Sequence, residues 1–271
     1  MYPTVGHLLH FHLPIPTFGC FMVLAFIAAY YTFLTEFSRH RPPDISPRRL
    51  MDKLLLLCSL AGFAGAFLFS FLEGHLGLNY YGSLLAGTAA YLYITRRHGI
   101  PFPIAADIGS PGMMLAYGVG RLGCHLSGDG DWGINVTHPK PQLLPEFLWS
   151  STFPHNVLRQ GIAIPMCTDP YNYCTQLPVP VYPTSLYEAI LCILLFFILW
   201  AMRRRLKTPG LLFGLFALLN GIERFSIEFI RINPRYPFWG LSLSQAQIIA
   251  LGCMLAGVFS IWWFGTRSPA G

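Results

Sequence analysis

Seven runs of mostly apolar residues alternate along the chain with short polar or basic segments. The runs fall near positions 17–36, 54–72, 82–95, 104–122, 184–202, 209–228 and 244–264. A helix needs about 20 apolar residues to cross roughly 30 Å of hydrocarbon. Most runs are long enough, and the third needs residues 77–81 to complete its length. The pattern predicts an all-α, polytopic integral membrane protein with about seven transmembrane helices.

The composition agrees with a membrane protein and changes the meaning of the net charge. Charged residues make up 11% of the 271 residues, and the mean hydropathy is +0.49. Soluble globular proteins carry about 25% charged residues. A net charge of +6 would suggest a nucleic-acid partner in a soluble protein. Here the basic residues cluster in short loops between apolar runs, so we expect them to orient the chain in the membrane, and we expect no nucleic-acid partner.

The basic residues are divided unequally between the two sets of loops. If seven helices alternate, twelve of the eighteen basic residues fall on one side, namely Arg39, Arg41, Arg48, Arg49, Lys53, Arg96, Arg97, Arg203, Arg204, Arg205, Lys207 and Arg267. The other side receives Lys140, Arg159, Arg231 and Arg235. Because cytoplasmic loops carry the excess of Lys and Arg, this division predicts an outside N-terminus and a cytoplasmic C-terminus.

One long segment, residues 125–183, then lies outside the cytoplasm. It is rich in Pro, Asp, Asn and Tyr, which predicts a cap over the outer membrane face and no further span. We therefore expect one membrane-embedded domain over residues 1–271. Cys167 and Cys174 share this segment. A disulfide between them and two free thiols both remain open.

Charged residues inside membrane helices cost roughly 2.5 to 3.5 kcal/mol each and usually mark function. The first such cluster is the Gly-rich segment 117–133, at the end of the fourth run. Its Arg121 is suited to hold a phosphate in a bidentate fork, and Asp129 and Asp131 are suited to orient that fork. The alternative is a helix end that turns on Gly, with Arg121 reaching toward the headgroups.

The second cluster, residues 220–231, lies at the end of the sixth run. Arg224 and Glu228 are four residues apart, so they share a helix face and can pair. Arg231 follows three residues later, which predicts a charged stripe on one wall of a cavity. A structural ion-pair network that holds the helix in place is the alternative.

The third segment, residues 182–188, opens the fifth run. Thr184 or Ser185 is expected to cap the helix, and Glu188 in the first turn complements the helix dipole. This local explanation is favoured over a role in binding.

Together, and in this order, these segments resemble the prolipoprotein diacylglyceryl transferase family. The similar stretches are Gly-Val-Gly-Arg-Leu-Gly at 118–123, Pro-Thr-Ser-Leu-Tyr-Glu at 183–188, Arg-Phe-Ser-Ile-Glu-Phe-Ile-Arg at 224–231, and Ser-Leu-Ser-Gln at 242–245. The resemblance spans roughly residues 14–265. The topology reached from the loops agrees with that family.

The resemblance implies a multi-pass enzyme of the bacterial inner membrane. It would transfer the diacylglyceryl group of phosphatidylglycerol to the lipobox cysteine thiol in the signal peptide of a preprolipoprotein. A thioether forms and glycerol phosphate leaves, without a metal or diffusible cofactor.

The resemblance also suggests roles for individual residues. Arg121 and Arg224 are expected to stabilise the leaving phosphate, with Glu228 holding Arg224. Asp129 and Asp131 are expected to bind the glycerol headgroup or to set Arg121. The remaining residues expected at the substrate site are Gly120, Gly123, His125, Glu188 and Arg231.

The chain departs from the family pattern where a general base is expected. Tyr81 replaces a family His at the start of the third run, and a phenol that titrates near pH 10 is a poor base. His75 and His125 are alternative candidates. Two further departures are Cys124 where Asn is usual and Asn220 where Tyr is frequent.

Other functions stay open beside the leading one. A relative with another lipid donor or acceptor fits the same motifs, and a non-catalytic lipid-binding protein fits the lost His. A transporter is disfavoured because the sequence shows no internal repeat and its charges gather near one membrane boundary.

Overall fold

The computed structural model describes residues 1–11, 13–40, 44–72, 74, 80–238 and 241–266. Within them the α-helices are α1 (Val5–Leu9), α2 (Thr17–His40), α3 (Pro47–Leu72), α4 (Tyr80–Arg97), α5 (Phe102–Ser127), α6 (Glu146–Trp149), α7 (Thr184–Met202), α8 (Leu211–Ile227) and α9 (Gln245–Thr266). Two antiparallel hairpins pair β1 (Ile162–Ala163) with β2 (Thr175–Gln176), and β3 (Arg235–Phe238) with β4 (Leu241–Ser244). The sequence pattern did not predict these hairpins.

A long helix covers each of the seven apolar runs. The predicted and observed bounds differ most at α3, which begins at Pro47, seven residues before its apolar run. Proline suits the first position of a helix because no backbone N–H is required there. The mostly helical prediction is therefore confirmed.

Four of the described helices, α2, α3, α7 and α9, are long and apolar enough to cross a membrane. Their large apolar side chains point outward: Leu56 and Phe63 of α3 are 61% and 65% exposed. Gly62, Gly65 and Ser70 of the same helix are buried. A soluble protein shows the opposite arrangement, so the membrane character predicted from composition is confirmed.

Small residues let the helices pack closely, as they do in membrane bundles. A Cβ atom on Gly65 of α3 would lie 2.4 Å from the carbonyl oxygen of Gly82 in α4, and one on Gly221 of α8 would lie 2.8 Å from that of Ala250 in α9. Helix α5 lies centrally and packs against α2, α7 and α8. The α5–α7–α8 core is built around Met114, Cys192, Phe196, Leu199 and Leu212.

The bundle has two ends, which we name by what they hold. At the site end, α5 and α8 end and α7 begins, and their adjoining segments are hydrogen-bonded: Gly133 N donates to Tyr182 O at 2.8 Å, and Ile134 N to Ile230 O at 2.9 Å. At the far end, α2 and α7 end and α5 and α8 begin. There, Arg203 Nε donates to Glu36 Oε1 at 2.9 Å.

The segment between α5 and α7 starts later than predicted. Helix α5 continues to Ser127, so His125 is helical, and the turn follows at Gly128, whose φ is 67°. Gly tolerates this left-handed conformation without steric cost. Within the segment, Cys167 and Cys174 form a disulfide, which decides between the two possibilities left open by the sequence.

Candidate functional site

Three arginine side chains from two separate parts of the chain converge on one carboxylate at the site end. Glu188 Oε1 accepts Arg224 Nη1 at 2.6 Å, and Oε2 accepts Arg231 Nη1 at 3.1 Å. Arg121 Nε lies 3.3 Å from the same Oε2. Glu188 has no solvent exposure. Glu188 is the fifth residue of α7, and no acidic residue lies in the first turn of that helix. The predicted first-turn role is therefore wrong, and the three arginines explain the position of Glu188 instead.

The predicted cap on α7 is wrong. The N-cap is Pro183, and no side chain of the described residues caps the helix. Thr184 Oγ1 instead donates to the backbone oxygen of Asp131 at 2.9 Å. This bond joins the start of α7 to the turn after α5, and so aligns the elements that carry Glu188 and Asp131.

Asp131 is a second shared acceptor and accepts hydrogen bonds from Arg121 and Arg231. Burial by itself would raise the pKa of this carboxyl, but the two guanidinium groups outweigh burial and hold the pKa below its usual value. The carboxylate therefore stays ionised at neutral pH. The expectation that Asp131 sets Arg121 agrees with this contact.

Asp129 is placed differently from Asp131. Its carboxylate accepts the Asp131 backbone N–H at 3.4 Å, and the described residues show no bond between it and an arginine. One of its carboxylate oxygens lies within 4.8 Å of the Cys124 sulfur and of an Asp131 carboxylate oxygen, and these are atoms that could bind a metal ion. Because Asp131 is already paired with two arginines, this group has little capacity for a cation.

The predicted pair of Arg224 and Glu228 is confirmed, with Arg224 Nη2 lying 3.2 Å from Glu228 Oε2. Asn233 Nδ2 donates to the other oxygen of Glu228. The predicted stripe with Arg231 is wrong, because α8 ends at Ile227 and one 3-10 turn, Glu228–Ile230, follows. Arg231 is extended and turns toward Glu188 and Asp131.

Close backbone approach brings these segments together. A Cβ on Gly133 would lie 2.6 Å from Ile230 O and 2.8 Å from Thr184 Cγ2, so a larger residue would push the turn away from both helices. Of the glycines predicted to bind substrate, Gly123 faces Phe21 of α2, where a Cβ would approach to 2.5 Å. Its position is thus explained by helix packing, while Gly120 is more open.

His125 is the one candidate base whose side chain the structure describes, and the described residues show no contact between it and this cluster. The ring of His125 packs edge-on against Phe153, with 5.7 Å between ring centroids. Tyr81 lies in α4, but its side chain falls outside the described part of the chain, as does all of His75.

Two residues near the cluster were given no role from the sequence. Tyr117 donates its hydroxyl to Glu188 Oε1 at 3.3 Å, and the Arg121 guanidinium lies 5.0 Å from its ring centroid. The spacing of four residues from Arg121 on one helix was a usable signal for this contact. Glu223, beside Arg224, is buried.

The arrangement is suited to hold an anion. Arg121, Arg224 and Arg231 are held by carboxylates on more than one side, so their forks are oriented before a ligand arrives. Their side chains keep 17%, 23% and 9% exposure. Arg231 Nε is buried without a hydrogen-bond partner among the described residues, which leaves a donor for an incoming oxyanion.

Comparisons with known proteins agree with the motifs. The family model described as prolipoprotein diacylglyceryl transferase matches residues 6–263. Three curated relatives carry the name phosphatidylglycerol–prolipoprotein diacylglyceryl transferase. The Xylella fastidiosa protein is 30% identical over 74% of this chain and 67% of its own length. The Pseudomonas putida protein is 30% identical over 71% of this chain and 63% of its own length. The Stenotrophomonas maltophilia protein is 28% identical over 89% of this chain and 85% of its own length. The chain therefore spans less than two thirds of the P. putida relative.

Proposed function

The chain belongs to the prolipoprotein diacylglyceryl transferase family, and from this premise we propose that it transfers the diacylglyceryl group of phosphatidylglycerol to the lipobox cysteine of a preprolipoprotein. The single observation that supports this most strongly is the convergence of Arg121, Arg224 and Arg231 on Glu188 at one end of the bundle. This arrangement can hold a phosphodiester at the boundary where a lipid headgroup would lie.

The reaction sets clear physical requirements. The thiol loses its proton, and its sulfur forms a bond to the glyceryl carbon that carries the phosphate. The bond from that carbon to the phosphate oxygen breaks, and the oxygen keeps the electron pair as glycerol phosphate leaves. Negative charge therefore grows on the phosphate, where fixed guanidinium groups stabilise it most.

The contacts of each arginine support a division of roles. Arg121 and Arg224 hold the phosphate, and Arg231 adds a third cation. Glu188, Asp131 and Glu228 are positioning residues, since each accepts at least one arginine. Each arginine pairs with two carboxylates, so an oxygen of the phosphodiester can replace one of them while the guanidinium stays paired with the other. No metal or diffusible cofactor enters this scheme.

The membrane arrangement is also part of the proposal. Seven spans with an outside N-terminus put the site end at the outer leaflet of the bacterial inner membrane, where signal peptides of exported proteins are accessible. The support is the basic far end, which carries Arg39 and the stretch 203–207. In this orientation the segment that follows α5, up to residue 183, forms the extracytoplasmic cap.

A related function has its own supporting observation. A paralogue that uses another lipid donor or acceptor would share the arginine cluster and differ around it. Tyr81 and Cys124 stand where the family resemblance leads one to expect His and Asn, and Cys124 is buried one turn from Arg121.

The test is complementation of a bacterial strain depleted of its own diacylglyceryl transferase, followed by mass analysis of one lipoprotein. The wild-type chain should restore growth and add one diacylglyceryl mass to the lipobox cysteine. An added lipid of different mass identifies the paralogue, and membrane insertion without any added lipid contradicts both functions.

The Arg224→Ala variant tests the site within the same assay. It should insert and fold but lose thioether formation by about 100-fold or more, the usual effect of removing a preorganised electrostatic group. Arg204→Ala is the matched control, because Arg204 is exposed at the far end. Equal activity of both variants would contradict the proposed role of Arg224.

A further inference from the structure

Glu223 is a buried acid that the arginine cluster does not use. It is 5% exposed, and neither of its carboxyl oxygens has a hydrogen-bond partner among the described residues. Burying a carboxyl without partners costs several kcal/mol or more, and native proteins rarely leave such a group unsatisfied. Its neighbour Arg224 directs its own contacts to Glu188 and Glu228.

Glu223 lies on the face of α8 that packs against α5 and α7. One face of α8 carries Leu212, Phe216, Leu219 and Glu223, because each is three or four residues from the next. The first three of these side chains pack in the core that α8 shares with α5 and α7. Glu223 lies four residues before the end of α8 at Ile227, or about 6 Å along the axis. This is the level of the arginine cluster.

Charged side chains lie near Glu223 on two of the helices packed against it, on its own helix and beyond its own helix. They are Arg121 on α5, Glu188 on α7, Arg224 on its own helix, and Arg231 beyond that helix. Tyr117 and Cys192 are the weakly acidic neighbours. Helix α9 carries no acidic or basic residue.

The cluster is already balanced without Glu223. Arg121, Arg224 and Arg231 are matched by three carboxylates, and each carboxylate accepts an arginine. Protonating one of these three would weaken an ion pair. Among the described residues Glu223 has no ion pair to lose, so it can take up and release a proton while the phosphate-binding arginines stay in place.

We propose that Glu223 is a catalytic residue that accepts the proton of the substrate thiol; this inference rests on the proposed function. The S–H bond breaks and its proton moves to a carboxyl oxygen of Glu223. The sulfur electron pair forms the bond to the glyceryl carbon, and glycerol phosphate departs with the electron pair of the broken C–O bond. The proton then leaves with the phosphate or passes to water. Glu223 thereby supplies the base that the resemblance leads one to expect as His at position 81.

The experiment compares the full-length wild type with Glu223→Gln in phosphatidylglycerol vesicles, with a lipobox peptide as acceptor. Gln keeps the shape of the side chain but accepts no proton. At pH 7, kcat should fall by about 100-fold, a typical loss for a general base, while KM for the lipid is unchanged. Glu146→Gln, on an exposed residue of α6, is the matched control and should match the wild type.

The pH dependence separates a proton acceptor from a structural group. A free thiol titrates near pH 8.5, so the Gln variant should gain about tenfold in rate per pH unit up to that value and approach the wild type above it. A deficit that is constant between pH 6 and 10, or a KM that rises with it, would assign Glu223 a structural role and overturn the proposal.

The remaining outcomes are equally distinct. A Gln variant with wild-type rate at pH 7 overturns the proposal alone, because the transfer reaction itself is then intact. A wild-type protein that forms no thioether removes the proposed function and this inference together. If the Gln variant fails to fold, Glu223→Asp replaces it: a slower rate with the wild-type pH profile supports the proposal, and a changed profile opposes it.

Discussion

The bundle carries arginine and carboxylate side chains at both ends, and the two ends use them differently. At the far end, Asp107 accepts the backbone N–H groups of Gly210 and Phe213, each at 2.7 Å. Arg203 there donates to Glu36 and to the backbone oxygen of Trp200. These charges complete helix ends, where backbone groups otherwise lack partners.

At the site end, the arginines bond carboxylates, and the described residues show no bond from them to the backbone. Arg121, Arg224 and Arg231 share Glu188 and are each held by a second acid. Side-chain partners can move to admit a ligand, whereas the carbonyl oxygens bonded at the far end are fixed by the helix that carries them. At the far end, Arg39 and Arg203 pair with Glu36 but also donate to backbone oxygens. Charge in a membrane bundle therefore marks a binding site when the arginines are held by side chains alone.

The largest effect is expected from Glu188→Gln. The change leaves three guanidinium groups around an uncharged amide, and loss of one partner of a buried ion pair costs about 3–5 kcal/mol. Activity should be lost and the thermal unfolding temperature in detergent should fall. Thioether formation and the unfolding temperature are the measurements. A stable, active variant would show that the arginines do not depend on Glu188.

A smaller effect on activity alone is expected from Arg121→Lys. Lysine keeps the charge but lacks the planar fork that contacts Asp131, Glu188 and a phosphate together. We expect kcat to fall by about tenfold, equivalent to about 1.4 kcal/mol, with the unfolding temperature nearly unchanged. A lipid-transfer assay with a normal rate would remove Arg121 from the phosphate site.

The smallest effect on turnover is expected at the far end, from Asp107→Ala. Gly210 N and Phe213 N lose their acceptor, which should cost about 1–2 kcal/mol of stability, as loss of a helix N-cap does. Asp107 and Arg121 are fourteen residues apart on α5, or about 21 Å. Turnover per folded molecule should therefore match the wild type. A specific loss of turnover would show that the two ends are coupled.

How much of the site was predictable depends on sequence separation. The pair of Arg224 and Glu228 follows from spacing on one helix, and the structure confirms it. Glu188 lies 36 residues from Arg224 and 43 from Arg231, so no periodicity connects them. The expected position in the first helical turn gave Glu188 a local explanation, but the structure places it just beyond that turn, among the three arginines.

The exceptions to the helical pattern have physical reasons as well. Arg231 left the predicted stripe because α8 ends after Ile227 and the chain becomes extended. Glu223 stood beside Arg224 in the sequence, but its lack of a hydrogen-bond partner among the described residues is a property of the packed bundle. Hydropathy cannot report either feature, since it averages over a window longer than one helical turn.

The sequence by itself determined a membrane-embedded helical bundle and its family, because hydrocarbon requires long apolar runs and satisfied backbone groups. It also located the arginines. Only the tertiary structure decided which acids hold those arginines, and that Glu223 has no hydrogen-bond partner in the part of the chain that the structure describes. Ion pairs between distant segments depend on how helix ends meet, and a buried charge takes whichever counter-charge the packing brings within reach.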